Sequence, residues 1–315
     1  MIRASAPGKV ILLGEHAVVY GRPAVAVPLP QARAVATVEA GPTGSGLILA
    51  APDIGRVVRL DSAPADDPLA QIARLTLACL DLGDLDATVT VTSSIPIAGG
   101  LGSGAAVSVA LTRALAAFVG TNLPPAEVSR LAFEVEKLHH GTPSGIDNTV
   151  IAYEQPVYFV RGREPERLAV GASLRLLVAD SGVASSTREM VGGLRQRWAA
   201  RPAHYEALFD RIGALVEQGR TAIVGGDRRA LGGLMARNHE LLAEIGVSTL
   251  ALDRLVEAAQ RAGALGAKLS GAGGGGNVVA LVEPERAAPV EEALRCAGAI
   301  RLFSAEIAPT IRDTR

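Results

Sequence analysis

Cysteine and aromatic residues are scarce in this chain of 315 residues. Its two cysteines, Cys79 and Cys296, are too isolated for a disulfide framework or a cysteine metal site, and we expect two reduced thiols. Hydrophobic residues make up 49% of the chain but aromatic residues only 3%, so the core must be built from Ala, Val, Leu and Ile. The length allows one large domain or two moderate ones.

An excess of charge and a long apolar run are also missing. A formal net charge of −1 argues against nucleic acid or an anionic membrane as the main partner, although a local basic pocket for a small anion stays open. No stretch reaches the roughly 20 apolar residues of a membrane span, and the N-terminus lacks a signal-peptide pattern. We therefore expect a cytoplasmic protein that does not insert into membranes.

Apolar spacing gives a mixed pattern of strands and helices. The predicted strands are 9–14, 24–29, 33–40, 87–95, 155–160, 174–180 and 300–307. The predicted helices are 68–83, 105–119, 125–139, 186–219, 227–245, 249–263 and 285–296. The Gly/Pro/Asp-rich region 41–68 has room for a hairpin at most. The pattern predicts an α+β protein in which the character of the chain changes near 165–180.

A glycine-rich stretch, PIAGGLGSGAAVS at 96–108, lies between a predicted strand and a predicted helix. Glycines bring backbone N–H groups close to a ligand, and the start of a helix adds unpaired donors and partial positive charge, which suits a phosphate group. The stretch matches neither the Walker A pattern nor the dinucleotide fingerprint. Taken alone, it is equally consistent with a tight turn.

A second loop, GAGGGG at 271–276, precedes the apolar run NVVALV. Four consecutive glycines are costly to order, so a flexible surface tether is the simplest explanation. The flanking Ser270 and the apolar strand argue against a tether and favour a close approach of something to this backbone. Two such loops in one chain favour a ligand that carries phosphate.

Two polar clusters interrupt apolar surroundings. The first holds Lys9, Glu15 and His16. The second is EVEKLHHGTPSGIDN at 134–148, where Glu136 lies near the end of a predicted helix and His139, His140, Ser144 and Asp147 follow on what reads as a turn-rich segment. The histidine spacing matches no zinc pattern. A Mg²⁺ site built from one carboxylate, one hydroxyl and phosphate oxygens fits better, because Mg²⁺ takes few protein ligands.

Three stretches in order, APGKVILLGEHAVVYG, PIAGGLGSGAAVS and KLSGAGGGG, resemble the signatures of the GHMP kinases. They span residues 6 to 276, which is most of the chain. The resemblance implies a two-domain α+β fold, with an N-terminal domain like ribosomal protein S5 domain 2 over 1–172 and a ferredoxin-like C-terminal domain over 173–315. Within the family, the GEHAVVYG and EKLHHGTPSGIDN segments most resemble the members that phosphorylate mevalonate, which implies ATP, Mg²⁺ and mevalonate as ligands.

The same resemblance assigns roles to residues. Asp147 is the expected catalytic base and Lys9 the cation beside it, while Ser103 and Glu136 are the expected Mg²⁺ ligands. The mevalonate pocket is expected to include Glu15, His16, Ser144, Thr187 and Gly273. The loop around the ATP phosphates is expected to comprise Pro96, Ala98, Gly99, Gly100, Leu101, Gly102, Ser103, Gly104, Ala105 and Ala106.

The chain departs from the family pattern at two places. Gly104 stands where many relatives carry a second serine, and Ser185 and Ser186 precede Thr187 where some carry a basic residue. The partner of the substrate carboxylate is therefore open between His16 and Arg188. Phosphomevalonate or a sugar as the acceptor, a non-catalytic nucleotide-binding regulator, and a structural protein with glycine turns are the alternatives. The sequence does not fix the oligomeric state, and a homodimer is one option.

Overall fold

The computed structural model describes residues 1–96, 100–140 and 143–310, which divide into two compact units. The first unit is formed by the described residues of Met1–Gly8, Ala32–Pro96 and Gly102–Glu154. The remaining described residues form the second unit. In the described part of the chain, no helix is both long enough and apolar enough to span a membrane.

Strands are found in both units, and the first two strands of the chain each have residues in both. In chain order they are β1 (Ile2–Leu13), β2 (Ala24–Ala40), β3 (Leu47–Ala51), β4 (Arg56–Arg59), β5 (Ala87–Ser93), β6 (Val157–Phe159), β7 (Glu166–Arg167), β8 (Leu174–Asp180), β9 (Gly266–Ser270), β10 (Asn277–Val282) and β11 (Arg301–Ile307).

The helices follow the same order along the chain. They are α1 (Pro68–Cys79), α2 (Ser103–Phe118), α3 (Pro125–His140), α4 (Ile146–Tyr153), α5 (Thr187–Ala200), α6 (Pro202–Gly225), α7 (Arg228–Glu244), α8 (Leu250–Arg261) and α9 (Ala287–Cys296). Together with the strands they confirm the predicted α+β class.

The first unit packs four helices on a sheet in the order β4-β3-β5-β2. β5 is antiparallel to β2 and parallel to β3, and alternate residues of β3 and β5 are buried, so one face of the sheet is covered. Helix α2 contacts α1, α3, α4 and β5. Its alanines are small enough to let these neighbours approach closely, and most of the helix is buried.

The second unit is built on an antiparallel sheet in the order β11-β8-β10-β9. All residues of β9 and β10 are buried, and helices α7 and α8 contact β9. Helix α9 packs on α8 and β8. The start of β2 pairs with β6, which in turn pairs with β7.

Several predicted elements have different bounds in the structure; the strand predicted from residue 9, for example, begins at Ile2. Two of the differences involve proline. The single helix predicted over 186–219 is wrong: α5 ends at Ala200 and α6 begins at Pro202, because proline lacks the N–H that a continuous helix needs and disfavours a helical residue before it. The strands predicted at 24–29 and 33–40 are one strand, β2. Pro28 and Pro30 fall between the part that pairs with β6 and the part that pairs with β5.

Helix α4 and strands β7 and β9 were not predicted. Helix α4 begins within the segment that reads as turn-rich, and it contains the β-branched Ile146, Thr149, Val150 and Ile151, which favour strands by propensity. Its stability comes instead from packing against α2 and α3. Strand β9, Gly-Ala-Lys-Leu-Ser, has a weak strand sequence, and pairing with β10 makes the second glycine loop the turn of a hairpin rather than a helix-to-strand connection.

Neighbouring glycines in α7 provide a test of the packing of α7 on β9. A Cβ on Gly232 would lie 2.5 Å from the carbonyl carbon of Leu265, whereas a Cβ on Gly233 meets nothing within 4 Å. We expect Gly232→Ala to lower the free energy of unfolding by about 1–3 kcal/mol. Gly233→Ala, the matched control, should raise it by up to about 1 kcal/mol, because alanine favours the helix. Urea unfolding of both variants measures the difference, and equal effects would contradict the packing.

Candidate active site

The first glycine loop has backbone dihedral angles that favour glycine. Gly100 and Gly102 have φ of 73° and 74°, in the left-handed region that favours glycine. Gly102 is the N-cap of α2, so Ser103 and the backbone N–H groups of the first turn lie at the positive end of the helix. Ala106 N–H already donates to Gly102 O at 2.9 Å. The amides before it are the ones that can reach an anion.

Glu136, on α3, approaches the same end of α2. An ideal Cβ at Gly104 would lie 4.0 Å from Glu136 Oε1, so a carboxylate lies near the turn that carries Ser103. One carboxylate and one hydroxyl are hard oxygen donors, and this set suits Mg²⁺ that also takes ligands from phosphate and water. The residues present therefore fit the expected metal.

Asp147 lies in the first turn of α4 and is partly exposed. The helix starts after Gly145, whose φ is 90°, and Ser144 Oγ accepts a hydrogen bond from Ile146 N–H at 3.3 Å. The Asn148 side-chain amide donates to Ser129 O at 3.1 Å and to Ser129 Oγ at 2.8 Å, which fixes α4 on α3. The predicted base therefore lies on an anchored helix. The prediction that Asp147 lies on a turn-rich segment is wrong.

The two glycine loops approach each other within the second unit. Lys9 N–H donates to Leu101 O at 2.9 Å, which joins β1 to the first loop. A Cβ on Gly100 would lie 3.4 Å from Ser270 O, and one on Gly271 would lie 3.2 Å from the Gly100 Cα. These contacts are backbone against backbone, and glycine makes them accessible.

His16 occupies a strained turn. Its φ and ψ are 62° and −50°, and Ala17 N–H donates to Glu15 O at 2.7 Å, an i to i+2 hydrogen bond. This is the geometry of the rare γ-turn, which costs on the order of 1–3 kcal/mol for a residue with a Cβ. His16 is 5% exposed, and its Nε2 lies 2.8 Å from Ala272 O in the second glycine loop.

The pKa of His16 is lowered to about 4, mainly by burial. The hydrogen bond to Ala272 opposes this shift, and the charges of Arg197 and Lys268 add to it. A carbonyl only accepts, so Nε2 carries the proton of a neutral imidazole. A neutral ring whose N–H is already used is a weak partner for a substrate carboxylate. Arg188, the other candidate, is exposed at the start of α5.

Glu15 and Lys268 form a buried ion pair that the sequence did not predict. Lys268 is fully buried and Glu15 is 1% exposed, and Asn238 Nδ2 donates to Glu15 Oε2 at 3.2 Å. Burial raises the pKa of Glu15 and lowers the pKa of Lys268, and the attraction between the two charges opposes both shifts. The one available signal was a lysine inside the apolar strand sequence AKLS, since a buried lysine needs a partner.

The second glycine loop is held in place along its length. Gly274 N–H donates to Val247 O at 2.8 Å, Gly276 N–H donates to Val183 O at 2.9 Å, and Ser185 Oγ donates to Gly273 O at 2.5 Å. A Cβ on Gly273 would lie 2.9 Å from the carbonyl carbon of Val247. The close approach predicted for this backbone is therefore made by the protein's own chain, and the tether interpretation is wrong.

A small cavity of about 10 Å³, room for about one water molecule, lies where these segments meet in the second unit. Its lining includes Gly100, Thr187 and Gly273 from the predicted site, together with Ser185 and Ser270. The serine and threonine hydroxyls give it a polar wall. Its floor is the glycine backbone.

The predicted site residues are divided between the two units. Pro96, Gly102, Ser103, Gly104, Ala105, Ala106, Glu136, Ser144 and Asp147 belong to the first, and Lys9, Glu15, His16, Gly100, Leu101, Thr187 and Gly273 to the second. Ala98 and Gly99 lie outside the described residues. The side chains of Ala105 and Ala106 are fully buried, so any contact they make with ATP uses the backbone.

The sequence of this chain is similar to the sequences of known proteins. The mevalonate kinase of Thermococcus sibiricus is 37% identical, over 96% of this chain and 95% of its own length. A family model for the GHMP kinases N terminal domain matches residues 69–155, and one for the GHMP kinases C terminal domain matches residues 213–300. The chain belongs to the GHMP kinase family. The resemblance found in its three sequence signatures is thereby confirmed.

Solved structures of GHMP kinases confirm the predicted fold. A crystal structure of L. major mevalonate kinase in complex with R-mevalonate is 29% identical, covers 98% of this chain and 96% of its own, and has a TM-score of 0.83. A phosphomevalonate kinase of Streptococcus pneumoniae has a TM-score of 0.84 at 19% identity, which shows the shared fold alone. The domain boundary at residue 172 stays a prediction.

The depressed pKa of His16 predicts how the stability of this GHMP kinase depends on pH. The unfolded chain binds a proton at its ordinary pKa of 6.5, whereas the folded chain resists it until about 4. The free energy of unfolding should therefore fall as pH drops from about 6.5 to about 4. We expect His16→Gln to remove on the order of 2 kcal/mol of this loss between about pH 7 and pH 4.5. Denaturant titration at several pH values measures it. The matched control is His204→Gln, at an exposed position, and an equal slope change there would contradict the assignment.

Proposed function

We propose that this GHMP kinase transfers the γ-phosphoryl group of ATP to the C5 hydroxyl of mevalonate, a step of isoprenoid precursor biosynthesis in the mevalonate pathway. The observation that carries the proposal is the 37% identity to a mevalonate kinase over nearly the whole of both chains. The cytoplasmic location and a homodimer stay predictions.

The first glycine loop and the start of α2 are proposed to hold the ATP phosphates. Phosphoryl transfer needs alignment and neutralisation of charge more than covalent help from the protein. Backbone N–H groups at a helix N-terminus supply fixed donors for phosphate oxygens. Gly104 offers no hydroxyl, so the amides and Ser103 must make the contacts at this turn.

Ser103 and Glu136 are the residues proposed to hold Mg²⁺. The bound ion would neutralise charge on the phosphate oxygens. Both residues belong to the first unit, and Glu136 approaches the helix turn that begins at Ser103.

Asp147 is proposed as the base. As the C5 oxygen bonds to the γ-phosphorus and the bond to the ADP oxygen breaks, the hydroxyl proton passes to a carboxylate oxygen of Asp147. Lys9 is proposed to stabilise the charge on the transferred group. The anchored position of α4 limits the freedom of Asp147, which is what a base that works by position needs.

The mevalonate pocket is proposed to include Glu15, His16, Ser144, Thr187 and Gly273. Arg188 is the proposed partner of the mevalonate carboxylate, since a guanidinium binds a carboxylate through two parallel hydrogen bonds.

An acceptor panel tests the proposal against its alternatives. ADP release would be measured with MgATP and, in turn, mevalonate, phosphomevalonate, homoserine and galactose. Release with mevalonate at a higher kcat/KM than with the other three supports the proposal. Release with a sugar only would overturn it, and background release with every acceptor despite tight MgATP binding would indicate a regulator.

We predict that Asp147→Asn keeps MgATP binding within about twofold while kcat falls by about 10²- to 10⁴-fold. The amide keeps the size of the side chain but accepts a proton poorly. Single-turnover kinetics with an equilibrium titration of MgATP separates the two effects. Full turnover in the variant would remove Asp147 from the role of base.

We also predict that Glu136→Gln weakens MgATP binding by about tenfold or more and leaves mevalonate binding nearly unchanged, because the lost charge serves the metal. Equilibrium titration with each ligand separates these results. The paired control is Glu134→Gln, two residues earlier on α3, where the carboxylate pairs with Lys137 at the surface. An equal effect of both variants would argue against a metal role for Glu136.

A further inference from the structure

Lys268 is a fully buried cation for which the proposed chemistry has no use. Its ammonium group has three donors, and three acceptors surround it: Glu15 Oε1, Leu269 O at 2.6 Å and Ile11 O at 3.4 Å. Removing two charges from water costs several kcal/mol per ion. A protein in which apolar residues of similar size replace a buried ion pair is often at least as stable. The pair therefore needs an explanation other than stability.

Glu15 accepts hydrogen bonds at both carboxylate oxygens. Oε1 accepts from Lys268, and Oε2 accepts from the buried amide of Asn238 on α7 at 3.2 Å. Two accepted bonds from a cation and an amide suit the ionised form and fix the carboxylate plane. Both carboxylate oxygens of Glu15 are therefore held by hydrogen bonds from other elements of the same unit.

The backbone of Glu15 closes the strained turn at His16. Ala17 N–H donates to Glu15 O across His16, and the His16 ring then meets Ala272 O. A strained conformation persists only where its surroundings over-determine it. The immobilised Glu15 side chain is the element that does so on the N-terminal side of the turn.

Strand β9 connects the turn at His16 with the second glycine loop, because it is hydrogen-bonded to β1, which precedes the turn, and leads directly into the loop. Lys268 donates to Ile11 O, and Ser270 Oγ accepts from Ile11 N–H at 3.2 Å, so both polar groups of Ile11 are held from β9. The loop begins at the next residue, Gly271. A displacement of Lys268 is thus transmitted to both partners of the His16–Ala272 hydrogen bond.

We propose that Lys268 is a positioning residue that fixes the carboxylate of Glu15 and so holds His16, in its strained turn, against the second glycine loop. The inference rests on the proposed function, because Glu15, His16 and Gly273 are proposed to line the mevalonate pocket. Lys268 itself touches no reacting atom in this scheme.

Other charged groups act on the same cluster. Lys9 favours the ionised form of Glu15 and disfavours that of Lys268, and Arg197 disfavours a charged His16. Burial lowers the pKa of His239, whose Nδ1 accepts from Leu269 N–H at 3.3 Å, and Asp253 opposes this shift. In the absence of Lys268, the charge of Lys9 would still favour the ionised form of Glu15.

The test compares Lys268→Met with Val279→Ala. Val279 is also fully buried and is the register partner of Lys268 on β10, so its truncation perturbs the same place in the sheet and leaves both hydrogen-bond donors of Glu15 in the chain. For Lys268→Met we expect KM for mevalonate to rise by about tenfold or more, with KM for MgATP within about twofold. Part of the loss should be recovered as pH rises above neutral, because a buried Glu15 without its cation ionises later. Val279→Ala should show neither effect.

A readout independent of activity follows the His16 ring by NMR of histidine-labelled protein, with His16→Gln for assignment. We expect the neutral Nε2–H form in the wild type and a changed His16 signal in Lys268→Met. An unchanged signal together with mevalonate kinetics like those of Val279→Ala would overturn the inference. If the wild type does not phosphorylate mevalonate, the proposed function fails, and the NMR comparison alone decides the positioning role.

Asn238→Leu provides a second variant if Lys268→Met does not fold. It removes the amide from Glu15 Oε2 and leaves the ion pair in place. A smaller change of the His16 signal and of KM for mevalonate, in the same direction, would support the inference. A His16 signal identical to the wild type would contradict it.

Discussion

The second unit depends on satisfying one buried positive charge. Lys268 lies in a strand whose residues are all buried, and its ammonium group is accommodated only because a carboxylate and two carbonyl oxygens meet it. Ile11 O comes from β1, the carboxylate comes from Glu15 in the turn that follows β1, and Leu269 O comes from β9 itself. The strand, the turn and the glycine loop after β9 are therefore parts of one hydrogen-bonded assembly, and none of them can be moved without leaving a buried charge unsatisfied.

Backbone contacts explain the glycine content of both loops better than flexibility does. Gly100 and Gly271 lie against each other, and Gly273 and Gly275 lie against Val247 and Val183. A side chain at any of these positions would occupy space that another backbone already fills. Glycine here builds a compact and well-bonded surface of amides, which is the kind of surface that suits an anionic ligand.

Local sequence signals predicted the first glycine loop and the start of α2 better than they predicted α4 and β9. The positive φ values at Gly100 and Gly102 and the start of α2 at Ser103 follow from glycine content and helix signals, which are local. Helix α4 and strand β9 were missed because tertiary contacts decide them: Asn148 is bonded to Ser129, and β9 is paired with β10. The pairing of Lys268 with Glu15, 253 positions apart in the chain, has no local signal that names the partner.

The hairpin of β9 and β10 has a further consequence. Ser270 and Asn277 pair directly, so the connecting segment has a fixed number of residues as well as a fixed composition. If one residue were inserted or deleted in this segment, β9 could slip by one residue against β10. Because side chains alternate along a strand, such a slip would turn Lys268 to the opposite side of the sheet. Length polymorphism should therefore be tolerated in the surface turn between β3 and β4 but not here, even if every added residue were glycine.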